Sequence, residues 1–277
     1  MKDAEAKYEA IERFIKDKGE NGAVIAFSGG VDSATLAAVC HRLLGDRAVA
    51  VTAKSSTYTA KELAEAQEVA REIGIKQVTV ETDELTNEEF CLNPENRCYF
   101  CKKELLKKLL CTAEKLGLDV VFEGTNFSDL TDHRPGFQAV QELEKVYSPW
   151  VESGYVKSEI RALAKAMGLS VHDKRPQPCL ASRIPYHERI TKEKLDRIAA
   201  AEQAIKQIVH VEQLRVRDHN GLARIEVGKD ERAMLCDVEA FDQIVCKLKQ
   251  LGFRYVTADL EGYRSGSLLE AEKQETK

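Results

Sequence analysis

Residues 28–33 read Ser28-Gly29-Gly30-Val31-Asp32-Ser33. Paired glycines let a backbone come close to an anion and adopt torsions that a side chain forbids. Ser28 and Ser33 add hydroxyl donors. The helix expected after the loop offers unpaired N–H groups and the positive end of its dipole. The segment therefore reads as a cradle for pyrophosphate. It lacks the Gly-Lys-Ser/Thr ending of a Walker loop, which disfavours a P-loop kinase or GTPase. Asp32 suits a phosphate bridged by Mg²⁺, because a lone carboxylate would repel a bare one. The plainer alternative is a glycine-rich strand-to-helix turn capped by serine.

The chain has eight cysteines. Cys98 and Cys101 form a CxxC that opens an expected helix, where the dipole favours thiolates. Cys179 lies in the proline-stiffened loop Pro176-Gln177-Pro178-Cys179. Three thiolates suit a [4Fe-4S] cluster with one open iron, which could hold a hydrosulfide. On spacing alone, a redox dithiol at the CxxC and a structural zinc both stay open. Cys40, Cys111, Cys236 and Cys246 fall on apolar helical stretches and are expected to be small buried hydrophobes; Cys91 lies nearer the CxxC. The six histidines form no metal-spaced pair.

Arg215 and Arg217 alternate on an expected strand and so share a face. Ser182 and Arg183 follow closely on Cys179. Arginine takes phosphate in a bidentate fork; solvated arginines on a strand face are the alternative. Residues 175–264 hold 16 Lys and Arg against 14 Asp and Glu, whereas the rest of the chain holds 25 against 32. That mild positive bias suits a mononucleotide and is too weak for RNA. Glu202, on the helix after the Cys179 loop, is a candidate metal ligand or a solvated helix glutamate.

These groups need elements to position them. Residues 3–18 read as an amphipathic helix. Strands are expected at 23–27, 48–53, 77–81 and 119–123. Helices are expected from the loop to Leu44, at 60–73, at 157–167 and at 99–116, the last with Leu105, Leu109 and Leu116 on one face. Strand–helix alternation at this spacing implies βαβ units and a parallel sheet. The stretch 170–190 holds three of the six prolines, lacks periodicity and reads as a loop. After it come a helix (191–208), two β-rich runs (212–218 and 222–227), a helix (238–251) and a strand (253–259), the pattern of a smaller α+β domain. The expected division is 1–170, 171–268 and a frayed tail, 269–277.

The length of 277 residues suits about two domains. With 41 Lys and Arg against 46 Asp and Glu, the formal charge of −5 argues against a dedicated nucleic-acid binder. The N-terminus is charged throughout and has no apolar run of signal type, and no stretch reaches the ~20 apolar residues of a membrane span. A cytoplasmic protein is expected, and its closely spaced cysteines then point to metal or catalysis, not to a disulfide scaffold.

The Ser28–Ser33 loop resembles the PP-loop of the ATP pyrophosphatases, which adenylate a substrate and release pyrophosphate. That likeness implies a doubly wound parallel α/β sheet with ATP at the carboxyl ends of its strands. Ser55 in Lys54-Ser55-Ser56 then falls where adenine often lies in this group, and Gly124 in Glu123-Gly124-Thr125-Asn126 falls on the same edge. Glu123 becomes a second candidate Mg²⁺ ligand, or a simple strand-end carboxylate. Arg134 could reach the ATP phosphates, or form a loop salt bridge.

The likeness narrows when the motifs are taken in order. They are the loop, the Cys98–Leu105 segment CYFCKKEL, Gly124-Thr125-Asn126 with Asp132-His133-Arg134-Pro135-Gly136, Cys179–Arg183, Tyr255–Asp259 and Gly262-Tyr263-Arg264-Ser265-Gly266. Together they resemble the LarE family, sulfur transferases that mature the nickel-pincer cofactor of lactate racemase. The resemblance implies that ATP adenylates a carboxylate of pyridinium-3,5-biscarboxylic acid mononucleotide and that AMP departs as sulfur attacks. In single-cysteine members the cysteine at the position of Cys179 is sacrificed. Here Cys98 and Cys101 imply the three-cysteine subgroup, whose thiolates hold a [4Fe-4S] cluster that passes on a sulfide. The likeness also favours substrate phosphate at Ser182, Arg183, Arg215 and Arg217, a homo-oligomer, and a downstream nickel-insertion protein; the sulfide source stays open. A tRNA thiolase can share the loop and three cysteines, but it should add a basic RNA face or an RNA-binding domain. A glutamine-hydrolysing amide synthetase would need a glutaminase domain, for which the length leaves no room. A non-enzymatic metal carrier would have no use for the loop.

Overall fold

The computed structural model describes residues 2–131 and 135–264. Arg134, with its neighbours Asp132 and His133, Ser265, Gly266 and the expected tail lie outside the described residues. No helix among the described residues is long and apolar enough to cross a membrane.

Five strands, β1 (Ala23–Ala26), β2 (Ala48–Lys54), β3 (Lys76–Glu81), β4 (Val120–Phe122) and β5 (Val146–Tyr147), form one sheet. Its order is β3-β2-β1-β4-β5 and every pair is parallel. The inner strands are short apolar runs, as a sheet covered on both faces requires. Their alternation sends Ala23, Ile25, Ala48, Ala50, Val120 and Phe122 to one face and Val24, Val49, Val51 and Val121 to the other. The first face is covered from α1 (Lys2–Lys18), α2 (Val31–Leu44) and α3 (Ala60–Ile73). A short helix α4 (Glu88–Cys91) precedes α5 (Arg97–Leu116) and α6 (Pro135–Gln141), which cover the opposite face. Trp150 of α7 (Pro149–Glu152) and Ile160 and Ala164 of α8 (Lys157–Ala166) complete the first core. The doubly wound parallel sheet expected from the sequence is thus present.

On α5 the buried row is Leu106, Leu109 and Ala113, not Leu105, Leu109 and Leu116. The sheet meets the helix along the 3–4 spacing of that row. Leu116 ends the helix beside the C-cap Gly117 and stays 38% exposed. Helix α6 and the two-residue strand β5 gave no sequence signal, because they are too short for a period to emerge.

The chain divides into two units, Met1–Glu84 with Asn96–Gln177, and Leu85–Glu95 with Pro178–Lys277. The first ends a few residues beyond the expected limit of 170, and the second takes in an eleven-residue segment, 85–95, from within the first. That segment is bonded into the second unit. Asn93 is fully buried, and its amide nitrogen donates to the carbonyls of Ile184 (3.3 Å), Pro185 (2.6 Å) and Glu188 (3.1 Å). Ile190 N donates to Cys91 O at 2.8 Å.

In the second unit, β6 (Leu214–His219) and β7 (Leu222–Val227) form an antiparallel hairpin. Asn220 (φ 48°) and Gly221 (φ 91°) make its turn, the Asn-Gly choice that matches strand twist. Strand β8 (Tyr255–Ala258) joins β7 in parallel. Helices α9 (Lys192–Val209) and α10 (Val238–Gln250) bury Ile205, Val209, Ile244 and Leu248 with this sheet. This is the smaller α+β region that the pattern implied.

Replacing fully buried Leu106 by alanine should lower the unfolding free energy by roughly 2–5 kcal/mol. Leu116→Ala should stay within about 0.5 kcal/mol. Urea denaturation of both variants checks which row of α5 faces the sheet.

Candidate active site

The order of the parallel strands reverses between β1 and β4, and ligands of such sheets sit outside the strand ends at that point. The Ser28–Ser33 loop leaves β1 there. Gly29 has φ +69°, and a Cβ on it would stand 2.8 Å from the Ala66 Cα of α3. Glycine is therefore required twice over, for the torsion and for the contact. Gly30 is the N-cap of α2 and supplies no side-chain cap, so the first N–H groups of the helix face outward for a ligand. The serines close the loop upon itself. Their hydroxyls lie 3.1 Å apart, Ser28 N donates to Ser33 Oγ at 3.2 Å, and Ser33 Oγ donates to Gly30 O at 3.2 Å. Gly124, leaving β4, passes so near that a Cβ on it would stand 3.2 Å from Ser33 N.

A cavity of about 490 Å³ opens over these strand ends, within the range of small-molecule sites. Its lining includes Ser28, Gly30, Asp32, Ser33, Ser55 and Gly124. The fold thus gathers most of the residues expected around a nucleotide at one place. The Ser55 hydroxyl donates to the buried Glu84 carboxylate at 2.5 Å.

Three carboxylates were candidate Mg²⁺ ligands, and their surroundings differ. Asp32 pairs with the ammonium of Lys157 through Oδ2, and its backbone carbonyl accepts from Trp150 Nε1 at 3.1 Å. Its Oδ1 is buried without a hydrogen-bond partner. Burial raises the Asp32 pKa above the ordinary carboxylate value, with Lys157 pulling the other way. Glu123 also lines the cavity but is fully engaged. Lys102 Nζ stands 2.5 Å from Oε2, Thr125 Oγ1 donates to the same oxygen at 2.8 Å, and Ser148 donates to Oε1. Burial works against its ionisation, yet Lys102 and these donors hold its pKa below the usual value. Glu202, in the second unit, is held by Arg183 (2.9 and 3.2 Å) and accepts from Val216 N at 3.1 Å. Asp32 alone of the three keeps an unpartnered oxygen for a cation.

In the second unit Arg183, Arg215 and Arg217 are all buried. Arg183 donates to the carbonyls of Pro178 (2.5 Å) and Cys179 (3.0 Å) and to Ser182 Oγ (3.1 Å), so it shapes the cysteine loop. Arg217 is paired with Glu226 (2.7 and 3.0 Å) and donates to Ser182 O at 2.8 Å. Arg215 donates to Leu214 O at 2.7 Å and has no carboxylate partner among the described residues. Burial and the neighbouring Arg183 lower its pKa.

Cys98 and Cys101 occupy the first turns of α5, one exposed and one half-buried; Cys179 is half-buried and caps the 3₁₀ turn Leu180–Arg183. None of the eight cysteines, all of them among the described residues, is in a disulfide. Among the described residues no three His, Cys, Asp or Glu side chains are gathered as a metal site. Cys40 is buried as expected, whereas Cys111 on α5, Cys246 on α10 and Cys236, which ends the 3₁₀ turn Lys229–Leu235, are exposed. Sequence reading missed Lys157, Lys102 and Glu226. Lys157 and Lys102 act through partners 125 and 21 residues away, and Glu226 meets Arg217 across the β6–β7 hairpin; none belongs to a motif the sequence shows.

A parallel sheet with this loop at its reversal point defines a PP-loop ATP-using enzyme. The sequence profile of the NAD synthase family matches residues 4–97. An uncharacterised protein of Synechocystis is 43% identical, over 95% of this chain and 97% of its own. The pyridinium-3,5-bisthiocarboxylic acid mononucleotide synthase of Lactiplantibacillus plantarum is 34% identical, over 88% of this chain and 87% of its own. One of the subunits of the glutamine-hydrolysing GMP synthase of Methanocaldococcus jannaschii is 25% identical, over 68% of this chain and 64% of its own. The chain belongs to the family of that bisthiocarboxylic acid synthase, the LarE family of ATP-dependent sulfur transferases.

The raised pKa of Asp32 means that its ionised form is a net cost to the fold above that pKa. Asp32→Asn removes this cost. At neutral pH the variant should melt no lower than the wild type, yet lose ATP–pyrophosphate exchange by at least about a hundredfold. Thermal melts and the exchange assay on the same preparation check both halves.

Proposed function

We propose that the enzyme adenylates the carboxylates of pyridinium-3,5-biscarboxylic acid mononucleotide and converts them to thiocarboxylates. The observation that carries this reading is the glycine loop opening on a nucleotide-sized cavity with an unpartnered Asp32 oxygen, in a chain 34% identical to a synthase of the bisthiocarboxylic product. A substrate carboxylate oxygen attacks the α-phosphorus of ATP and pyrophosphate leaves. Hydrosulfide then attacks the acyl carbon and AMP leaves with the oxygen. Two rounds give the bis-thiocarboxylate. Activation is needed because oxide is a poor leaving group from a carboxylate, whereas AMP is a good one.

Gly29 and Gly30 bring the backbone against the phosphates, and the N-terminus of α2 donates to them. Mg²⁺ held by Asp32 would offset the phosphate charge. Lys102 keeps Glu123 ionised at the cavity wall. In the second unit Arg215, with Arg183, Arg217 and Ser182, takes the substrate phosphate. Arg215 is the strongest candidate of these, since of the three arginines it alone has no carboxylate partner among the described residues to release.

Cys98, Cys101 and Cys179 are the ligands we assign to a [4Fe-4S] cluster, whose open iron would carry the transferred sulfide. The soft donor set supports this, as do two thiols three residues apart at one helix start. The working enzyme is then cytoplasmic and homo-oligomeric. It passes its product to a nickel-insertion protein and binds no nucleic acid, in keeping with its charge of −5.

Anaerobic reconstitution should give about four irons and matching acid-labile sulfide per chain, lost in Cys179→Ala. Absence of iron from the wild type would exclude the cluster and turn attention to dehydroalanine at Cys179. A tRNA gel shift at moderate salt, expected to be blank, separates this reading from a tRNA thiolase.

A further inference from the structure

Gly262-Tyr263-Arg264 has no part in the chemistry described so far. Gly262 has φ +73°, and a Cβ on it would stand 2.8 Å from Val227 O. Its N–H donates to Asp259 O at 3.1 Å, and Tyr263 N–H donates to Val227 O at 2.7 Å. This turn folds the chain back against the end of β7. It lays the Tyr263 ring under Arg215, with the guanidinium carbon 5.3 Å from the ring centroid.

Arg215 is the cation that needs such a support. Arg183 is held by Glu202 and Arg217 by Glu226. Arg215 is 8% exposed and has one hydrogen bond among the described residues, to Leu214 O. A carboxylate beneath it would grip the in-plane N–H fork and compete with any phosphate. An aromatic face attracts the same charge from below and leaves the in-plane donors untouched.

We propose that Tyr263 is a positioning residue for Arg215, its ring fixing the guanidinium with the N–H edge turned to the phosphate of the mononucleotide substrate. This rests on the phosphate role given to Arg215 above.

The test compares full-length Tyr263→Leu, Tyr263→Gln, Tyr263→Phe and Arg215→Ala. Calorimetric titration with pyridinium-3,5-biscarboxylic acid mononucleotide gives Kd, and steady-state assays give KM and kcat. Tyr263→Leu should weaken binding and raise the substrate KM by roughly three- to thirtyfold. Its kcat and its KM for ATP should stay within about twofold of the wild type, which a general loss of structure would not allow. Tyr263→Phe keeps the ring face and should bind like the wild type. Tyr263→Gln serves if the leucine variant does not fold. Wild-type Kd in the ringless variants, beside lost binding in Arg215→Ala, overturns the role of Tyr263. Equal losses in Tyr263→Phe and Tyr263→Leu overturn it too, because the hydroxyl would then be the active part. Undiminished binding in Arg215→Ala would instead show that the phosphate reading of Arg215 had failed.

Discussion

A charge taken out of water must be paired or left where a ligand can pair it. Both units of this protein are arranged around that constraint. Glu123, Asp218 and Glu226 are almost wholly buried, and each is met in full. Asp218 takes Arg197 at 2.5 Å and Gly221 N at 2.8 Å; Glu226 takes both Arg217 and Arg224. Asp32 and Arg215 depart from this pattern. Asp32 keeps a buried oxygen without a donor, and Arg215 has no carboxylate partner among the described residues. One is an incomplete anion in a cavity of nucleotide size, and the other is an incomplete cation beside the cysteine loop. The ligands proposed for them have opposite charges, a divalent metal and a phosphate.

The sheet makes the first of these positions available. Because β1 is central, the chain must pass to one side for β2 and β3 and to the other for β4 and β5. The exits of β1 and β4 therefore diverge, and the crevice between them has backbone on both walls. Gly29 pressed on Ala66 and Gly124 pressed on Ser33 set its width. Side chains at those glycines would collide with Ala66 and Ser33 and force the backbone apart.

Much of this was legible in the residues. The glycine loop could be read because its chemistry is local: six consecutive residues, an apolar strand before and a helix after. The parallel sheet followed from alternation, and the two strands of the β6–β7 hairpin from two short β-rich runs. Other features depend on partners far along the chain. Lys157 meets Asp32 across 125 residues and Lys102 meets Glu123 across 21, with nothing in the local sequence to announce either. The leucine row of α5 was misjudged because Leu105 and Leu106 both fit a helical period, and only the sheet decides between them. Cys111 and Cys246 are exposed for the same reason, and Cys236 because it lies in the turn before α10, not on the helix. An apolar neighbourhood in sequence does not say which side of a helix is covered.

The segment 85–95 carries a consequence for the order in which the protein can be made. It leaves the ribosome early, yet the carbonyls that receive the Asn93 amide begin 91 residues later. Until those carbonyls are synthesised, the Asn93 amide and the backbone of Cys91 must stay hydrated while the chain between them and their acceptors and donors is still being made. The second unit is therefore not a module appended to the first. No single cut in the gene separates the two, and a shuffled or truncated descendant would inherit a stranded strip of its missing neighbour. Such interleaving ties the inheritance of one unit to that of the other.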